Sequence, residues 1–410
     1  MTTHISTLMQ RNRPTMRLWS LILATILLAL IIQLLIVRAS PGAAPDMQAY
    51  QLQAYAALHH INIYNFTSRY PYPPVWIWIV YLMKELSTSC HIPFDIAIRL
   101  PIILSESLMA IPLALWGYRR NPSFWNLCII MILGVLNPLN ILVSAFHGQF
   151  DAIALLLLSI ALYVEDVKQS CSTSTLTLGF AIALKGWPIL FFPIIFFRRK
   201  NLRAKLTTAL ITLAPTLLSM VIYTALVGYS PRMLFNIIGY SSTFDFGWAS
   251  LLKIYIYDLN FITQIAHIDI VLIGVTAFFI GRRFHSDVVR AATMVLVITY
   301  GLAIKMSIQY LSWMCAALPL APKRLSIPML SIGSFTAAAY YFGVLFRPLQ
   351  FNVLVSDIAF HFGQTCAVVF TLSSVFLMIR MLRMDDSAWK VQSPHFAKLQ
   401  PSSSINDSNG

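Results

Sequence analysis

Apolar runs closed by short polar or basic segments repeat along this chain from end to end. The first run, Leu18–Val37, is about 20 residues, long enough to cross a bilayer as a helix. It exceeds the roughly 7–15 apolar residues of a secretory leader, so it reads as a retained helix. Further runs follow at Val75–Met83, Leu100–Tyr118, Phe124–Ala145, Asp151–Val164, Thr175–Phe197 and Ala204–Gly228. Ile268–Ile280, Val288–Ala303, Ile308–Leu320, Leu325–Phe346 and His361–Met381 complete the series. The pattern predicts an all-α polytopic membrane protein with about 11–12 transmembrane or half-membrane helices. Residues 1–384 form one integral membrane domain on this reading, and 385–410 form a short cytoplasmic tail.

The basic residues set the direction of each crossing, because Lys and Arg collect in cytoplasmic loops. Arg11, Arg13 and Arg17 place the amino terminus inside. Arg119 and Arg120, the cluster Arg198–Lys205, Arg282 and Arg283, and Lys323 and Arg324 mark later inner loops. This arrangement puts 20 of the 29 Lys and Arg inside, with outer loops at 38–99 and 229–267. It also forces Thr175–Phe197 to enter and leave on one side. That segment is too short for two crossings, and it carries Lys185-Gly186-Trp187-Pro188 at its centre, where Gly and Pro break a helix. It is expected to be two half-helices meeting at Lys185 and lining an outward-facing polar groove, the setting in which broken helices persist at membrane depth.

Composition agrees. Of 410 residues, 58% are hydrophobic and 11% charged, with mean hydropathy +0.72. A soluble domain carries about 25% charged residues, so this chain cannot cover a water-facing surface of ordinary polarity. The net charge of +14 sits in short inter-helix loops, which fits topology signals and anionic membrane lipids and argues against nucleic acid. The five cysteines are scattered without metal-type spacing, so neither a disulfide framework nor a metal site is expected.

Ionisable residues at membrane depth are costly and therefore candidates for function. Here they gather on the outer side: Asp46, Arg69, Arg99, Asp151, Lys185, Asp245, Lys305 and Arg347. Asp46 suits either a general base or the N-cap of a helix starting at Met47. Asp151 opens a helix after His147-Gly148-Gln149-Phe150, where it can cap or pair with a cation, while His147 and Gln149 can bind phosphate or sugar hydroxyls or tie the hairpin together. Lys185 at the helix break suits a phosphate, or an ion pair with Asp151 or Glu106. Lys305-Met306-Ser307-Ile308-Gln309-Tyr310-Leu311-Ser312-Trp313 forms an outer junction that also fits interfacial anchoring. Asn65-Phe66-Thr67 is a glycosylation sequon on the same side.

In order and side, these clusters resemble a family. A first helix, an outer loop with an early Asp46, then Tyr70-Pro71-Tyr72-Pro73-Pro74 is similar to the GT-C superfamily of polyprenyl-phosphate-sugar-dependent glycosyltransferases. Gly148-Gln149-Phe150-Asp151, followed by Leu178-Gly179-Phe180-Ala181-Ile182-Ala183-Leu184-Lys185, resembles bacterial mannosyltransferase-like members. Gln309-Tyr310 and Trp313, followed by Pro319, resemble a late segment of such enzymes, so the resemblance spans Leu18 to Pro319. The chain departs from many relatives at His147, where they carry Trp, and at Lys185-Gly186-Trp187, where they carry Lys-Pro or Lys-x-Gln.

The resemblance implies a GT-C-like bundle with an outward-facing catalytic groove. It implies an inverting hexosyltransferase, with mannose the first candidate sugar. The donor would be a polyprenyl (or dolichyl) phosphate sugar and the acceptor a glycolipid or glycan. Asp46 would be the base. Lys185, His147, Lys305 and Arg69 would hold the donor phosphate; Gln149, Asp151, Tyr72, Gln309 and Tyr310 would contact substrate. No cofactor is implied, and a single-phosphate leaving group does not demand a metal. The expected location is the bacterial plasma membrane, with the endoplasmic reticulum as the alternative. Competing readings are a transporter or flippase, which broken helices also serve, and a polymerase or ligase of lipid-linked glycans.

Overall fold

The computed structural model describes residues 15–40, 46–67, 70–168, 171–238, 246–255, 259–342 and 353–389. Among them all regular structure is helical, and the only strand-like pairing is an isolated bridge between Phe246 and Met306. Helix α1 (Met16–Ala39) is followed by α2 (Met47–Leu58), the single turn α3 (Ile63–Phe66) and α4 (Val75–Cys90). Next come α5 (Phe94–Leu108), α6 (Ala110–Arg120), α7 (Phe124–Gly134) and the turn α8 (Pro138–Ile141), which runs into a π-helical stretch, Leu142–Phe146. Then α9 (Asp151–Tyr163) and α10 (Cys171–Leu184) precede a 3₁₀ segment, Trp187–Phe191, and α11 (Phe192–Phe197). The chain continues through α12 (Leu202–Val227), α13 (Arg232–Ile238), α14 (Trp248–Tyr255), α15 (Leu259–Phe284) and α16 (Val288–Leu302). After 3₁₀ segments at Ile308–Ala316 and Leu318–Leu320 come α17 (Lys323–Tyr340) and α18 (Val353–Leu382).

Five described helical spans, two of them interrupted, are long and apolar enough to cross a membrane: Met16–Ala39, Phe94–Arg120, Phe124–Phe146, Leu202–Val227 and His361–Leu382. Their faces show what the surrounding solvent is. In α12 the buried positions are Thr208, Thr212, Pro215, Ser219 and Tyr223, whereas Leu206, Leu210, Leu217 and Val221 are exposed. Small and hydroxyl-bearing residues thus face the protein while leucines face outward. That polarity is wrong for water and right for lipid, where small residues let helices approach closely. Gly179 of α10 uses this directly: a Cβ there would lie 2.6 Å from the Thr212 carbonyl oxygen and 3.1 Å from Pro215.

The segment around Lys185 folds back on itself. Helix α10 ends at Leu184, where Pro188 cannot supply the N–H that would continue it, and the chain returns through the 3₁₀ segment and α11. Both ends of this excursion meet at Glu165. Ser174 donates to it at 2.6 Å, Arg198 contacts it at 2.9 Å and Arg199 donates at 2.6 and 2.9 Å. Other basic loops share this end, with Arg120 lying 3.6 Å from Asp166 and 3.5 Å from Asp287. Arg198 donates to the His285 carbonyl at 2.8 Å, and Arg290 to Asp386 at 2.5 Å. Asp151 opens the helical run that reaches Glu165, so at 1.5 Å per residue it lies about 20 Å away, at the opposite end.

Several segments differ from the sequence-based expectation: Phe124–Ala145 is divided into α7, α8 and the π-helical stretch, and α15 begins at Leu259, within the expected loop 229–267. Leu100–Tyr118 is not one helix: it starts at Phe94 and breaks at Met109, one turn ahead of Pro112, which cannot donate to Leu108. Ile308–Leu320 is wound as 3₁₀ rather than α-helix. Ile308, Leu311, Trp313, Met314, Cys315, Ala316, Ala317 and Leu318 are all buried there. Packing on every side sets the winding, and a rise of about 2.0 Å per residue covers more depth than an α-helix of equal length.

Candidate functional site

Asp46 stands at the N-cap position of α2, yet its side chain makes no capping bond. Its Oδ2 instead accepts a hydrogen bond from Nε2 of Gln149 and faces Nε2 of His147 at 3.6 Å. The carboxylate side chain is 32% exposed, so a substrate can reach it. The amide of Gln149 works at both ends, because its Oε1 accepts from Nζ of Lys185 at 3.1 Å. Lys185 also forms an ion pair with Oδ2 of Asp151, whose Oδ1 accepts from Nε1 of Trp313 at 2.8 Å. One polar chain therefore runs Asp46–Gln149–Lys185–Asp151–Trp313.

Local backbone geometry places these groups. The π-helical stretch is closed by His147 N–H donating to the Leu142 carbonyl at 2.9 Å and Gln149 N–H to Val143 at 3.1 Å. Gly148 between them has φ +74°, a conformation open to glycine and costly for most side chains. Tyr50 of α2 pins this turn by donating to the Gly148 carbonyl at 2.9 Å, which brings the start of α2, with Asp46 at its N-cap, against the turn carrying Gln149. Arg99, fully buried, adds a second clamp: it donates to the carbonyls of Ser40 and Ala145 at 3.2 Å each and to Asp95 at 2.6 Å.

The ion pair of Lys185 and Asp151 is almost completely removed from solvent, at 3% and 0% exposure. Desolvating two charges is expensive, so such a pair persists only with close geometry and added partners. Gln149 and Trp313 supply those partners, and aromatic rings supply more. The Lys185 ammonium lies 4.4 Å from the Phe150 ring centroid and 5.2 Å from that of Tyr72. Phe150 stacks on Trp76 at 4.1 Å. On the far side, Trp313 is sandwiched between Trp187 at 4.1 Å and Tyr310 at 4.4 Å.

Of the residues expected from sequence, Asp46, His147, Gln149, Asp151, Lys185, Tyr72 and Tyr310 come together here. For Lys185, the ion-pair reading with Asp151 is the one realised in this structure. Glu106 is elsewhere, bonded to Gln33 of α1. Gln309 is buried beside Tyr310, and its carbonyl accepts from Ser312 at 2.7 Å. Lys305 adjoins the Phe246–Met306 bridge, with Asp269 as its charged neighbour; burial lowers its pKa and Asp269 raises it. Arg69, Asp245 and Arg347 lie outside the described residues.

Sequence reasoning missed Tyr341, whose hydroxyl lies 2.8 Å from Nδ1 of His147. Burial is the main influence on that imidazole and lowers its pKa; Asp46 opposes the shift and Lys185 adds to it. His147 is thus held neutral near pH 7.

Glycosyltransferase family 87 is the family whose model matches this sequence, over residues 70–305, more than half of the chain. The matched stretch holds Tyr72, His147, Gln149, Asp151, Lys185 and Lys305, while Asp46, Gln309, Tyr310, Trp313 and Tyr341 lie outside it. No curated protein matches the sequence.

Proposed function

The chain belongs to glycosyltransferase family 87, and we propose that it transfers a hexose, mannose first among candidates, from a polyprenyl (or dolichyl) phosphate. The acceptor on this reading is a lipid-linked or other glycan at the non-cytoplasmic face. That the chain is an integral membrane glycosyltransferase of the GT-C type follows from the family and the helices. The sugar, donor lipid, acceptor, face and stereochemistry are our inference.

One observation carries the reading. Asp46 is a half-open carboxylate with Oδ2 occupied by Gln149 and faced by His147, which leaves Oδ1 for an incoming hydroxyl. In the proposed step the acceptor oxygen attacks the anomeric carbon while its proton passes to Asp46. The bond from that carbon to the lipid phosphate oxygen breaks, and the phosphate leaves with the electron pair. A single displacement inverts the anomeric configuration. Charge grows on the leaving phosphate, so fixed cations there lower the barrier. Lys185, His147, Lys305 and Arg69 are the candidates, and Lys185 would have to share its charge between phosphate and Asp151. The bacterial plasma membrane is the location we favour over the endoplasmic reticulum.

The test is transfer by purified protein in lipid, with polyprenyl-phosphate-mannose and polyprenyl-phosphate-glucose offered against a panel of glycolipid acceptors. Transfer from the mannosyl donor with an inverted linkage is expected. A retained anomeric configuration, or transfer only from a nucleotide sugar, would overturn the proposal.

A further inference from the structure

We propose that Tyr341 is a positioning residue of the transfer reaction: it donates its hydroxyl proton to Nδ1 of His147, which fixes the imidazole in the tautomer whose Nε2–H points at Oδ2 of Asp46. The inference rests on the reading of Asp46 as the base.

The two nitrogens of the His147 ring meet different partners. Nε2 of His147 lies 3.6 Å from a carboxylate oxygen, and Nδ1 lies 2.8 Å from the Tyr341 hydroxyl oxygen. A bare nitrogen lone pair aimed at a carboxylate is repelled, whereas an N–H is attracted, so Nε2 carries the proton. His147 is only 6% exposed, and burial disfavours the doubly protonated ring although Asp46 opposes that shift. A neutral ring with its proton on Nε2 has Nδ1 as acceptor, and the short contact then needs Tyr341 as donor. The fixed tautomer of a histidine is set in this way by the bond its other nitrogen makes.

The consequence reaches the base. Gln149 and His147 approach the same oxygen of Asp46, so both donors stabilise the carboxylate on one side and leave the other oxygen open. If the ring lost its tether it could turn and present a lone pair to Asp46, which favours protonation of the carboxylate. The charged and titratable groups around this pair are Lys185 and Asp151 through Gln149, Tyr50 on α2, Arg99 on α5 and Tyr340 beside Tyr341; among the described residues only Tyr341 reaches Nδ1. Tyr341 itself is fully buried, its ring edge-on to Phe146 at 5.8 Å, so Tyr341→Phe keeps that packing and removes only the hydroxyl.

The experiment has two readouts on the full chain in lipid. First, ¹⁵N-histidine NMR, with His147 assigned by its loss in His147→Gln, reports which ring nitrogen is protonated. The expected result is Nε2–H with Nδ1 as acceptor in the wild type, and a mixture of tautomers in Tyr341→Phe. A wild-type ring protonated on Nδ1 overturns the proposal. Second, the pH profile of kcat/KM is compared. Tyr341→Phe is expected to lower kcat about tenfold with KM within about twofold, and to move the acid limb to higher pH. An unmoved acid limb in Tyr341→Phe overturns it as well. Failure of the base assignment is distinguishable, because Asp46→Asn would then keep its activity while the NMR result on His147 stood.

Discussion

Gln149 donates its side-chain amide N–H to Oδ2 of Asp46 while the carbonyl of the same amide accepts from Lys185. The buried ion pair therefore orients the group that orients Asp46. A hydrogen bond to a charged group contributes about 1.5–3 kcal/mol, and each 1.36 kcal/mol on a barrier is about tenfold in rate. Gln149→Leu is expected to lower kcat about 10- to 100-fold with KM little changed, measured by steady-state transfer. Gln149→Glu, which replaces the donor by a second carboxylate facing Asp46, should fall further.

Breaking the ion pair on one side should cost more than removing both charges. Lys185→Met leaves Asp151 buried and uncompensated, a loss of about 3–5 kcal/mol in comparable pairs. The double variant Lys185→Met/Asp151→Asn is expected to melt at a higher temperature than Lys185→Met alone. Thermal unfolding in detergent, followed through tryptophan fluorescence, gives the order.

The imidazole of His147 provides a pH signature. Burial lowers its pKa below the unfolded value of 6.5. Between the folded pKa and 6.5 the unfolded chain binds more protons, so stability falls as pH drops through that window and levels off below it. His147→Gln should therefore lose less melting temperature between pH 7.5 and 5.5 than the wild type loses.

The re-entrant segment rests on a close approach of two helices. Gly179→Val would push a side chain into the Thr212 carbonyl, 2.6 Å from the position of a Cβ, and overpacking of this kind costs about 1–3 kcal/mol. Gly186→Ala is the control, because nothing lies within 4 Å of a Cβ there. A lower melting temperature for Gly179→Val and an unchanged one for Gly186→Ala are expected.

Much of this site was legible in the sequence, for physical reasons that can be named. A charge count sorted the loops into two expected sets, and the parity of crossings then predicted the excursion at Lys185, whose two ends meet at Glu165 in the structure. His147, Gln149 and Asp151 lie within five residues of one another, so a single hairpin carries them together. Asp46 was ambiguous in the sequence, since an Asp before a helix is an ordinary cap, and the absence of a capping bond emerges only in the structure. Tyr341 was not legible, because it meets His147 across 194 residues of chain; Trp313 stood out in its motif, but its bond to Asp151, 162 residues away, did not. A tyrosine at the end of an apolar helix reads as an interfacial anchor until the partner is seen. The 3₁₀ winding of Ile308–Ala316 escaped for a related reason, since packing from neighbouring elements sets it.

The most direct test of the central claim is the rate of hexosyl transfer by Asp46→Asn beside the wild type, in lipid and at saturating donor. Asn keeps the size of the side chain and its place on α2 but cannot take the acceptor's proton. General base catalysis accounts for about 10²- to 10⁴-fold, so a loss in that range with donor binding intact is the expected result. Wild-type transfer by Asp46→Asn would contradict the account.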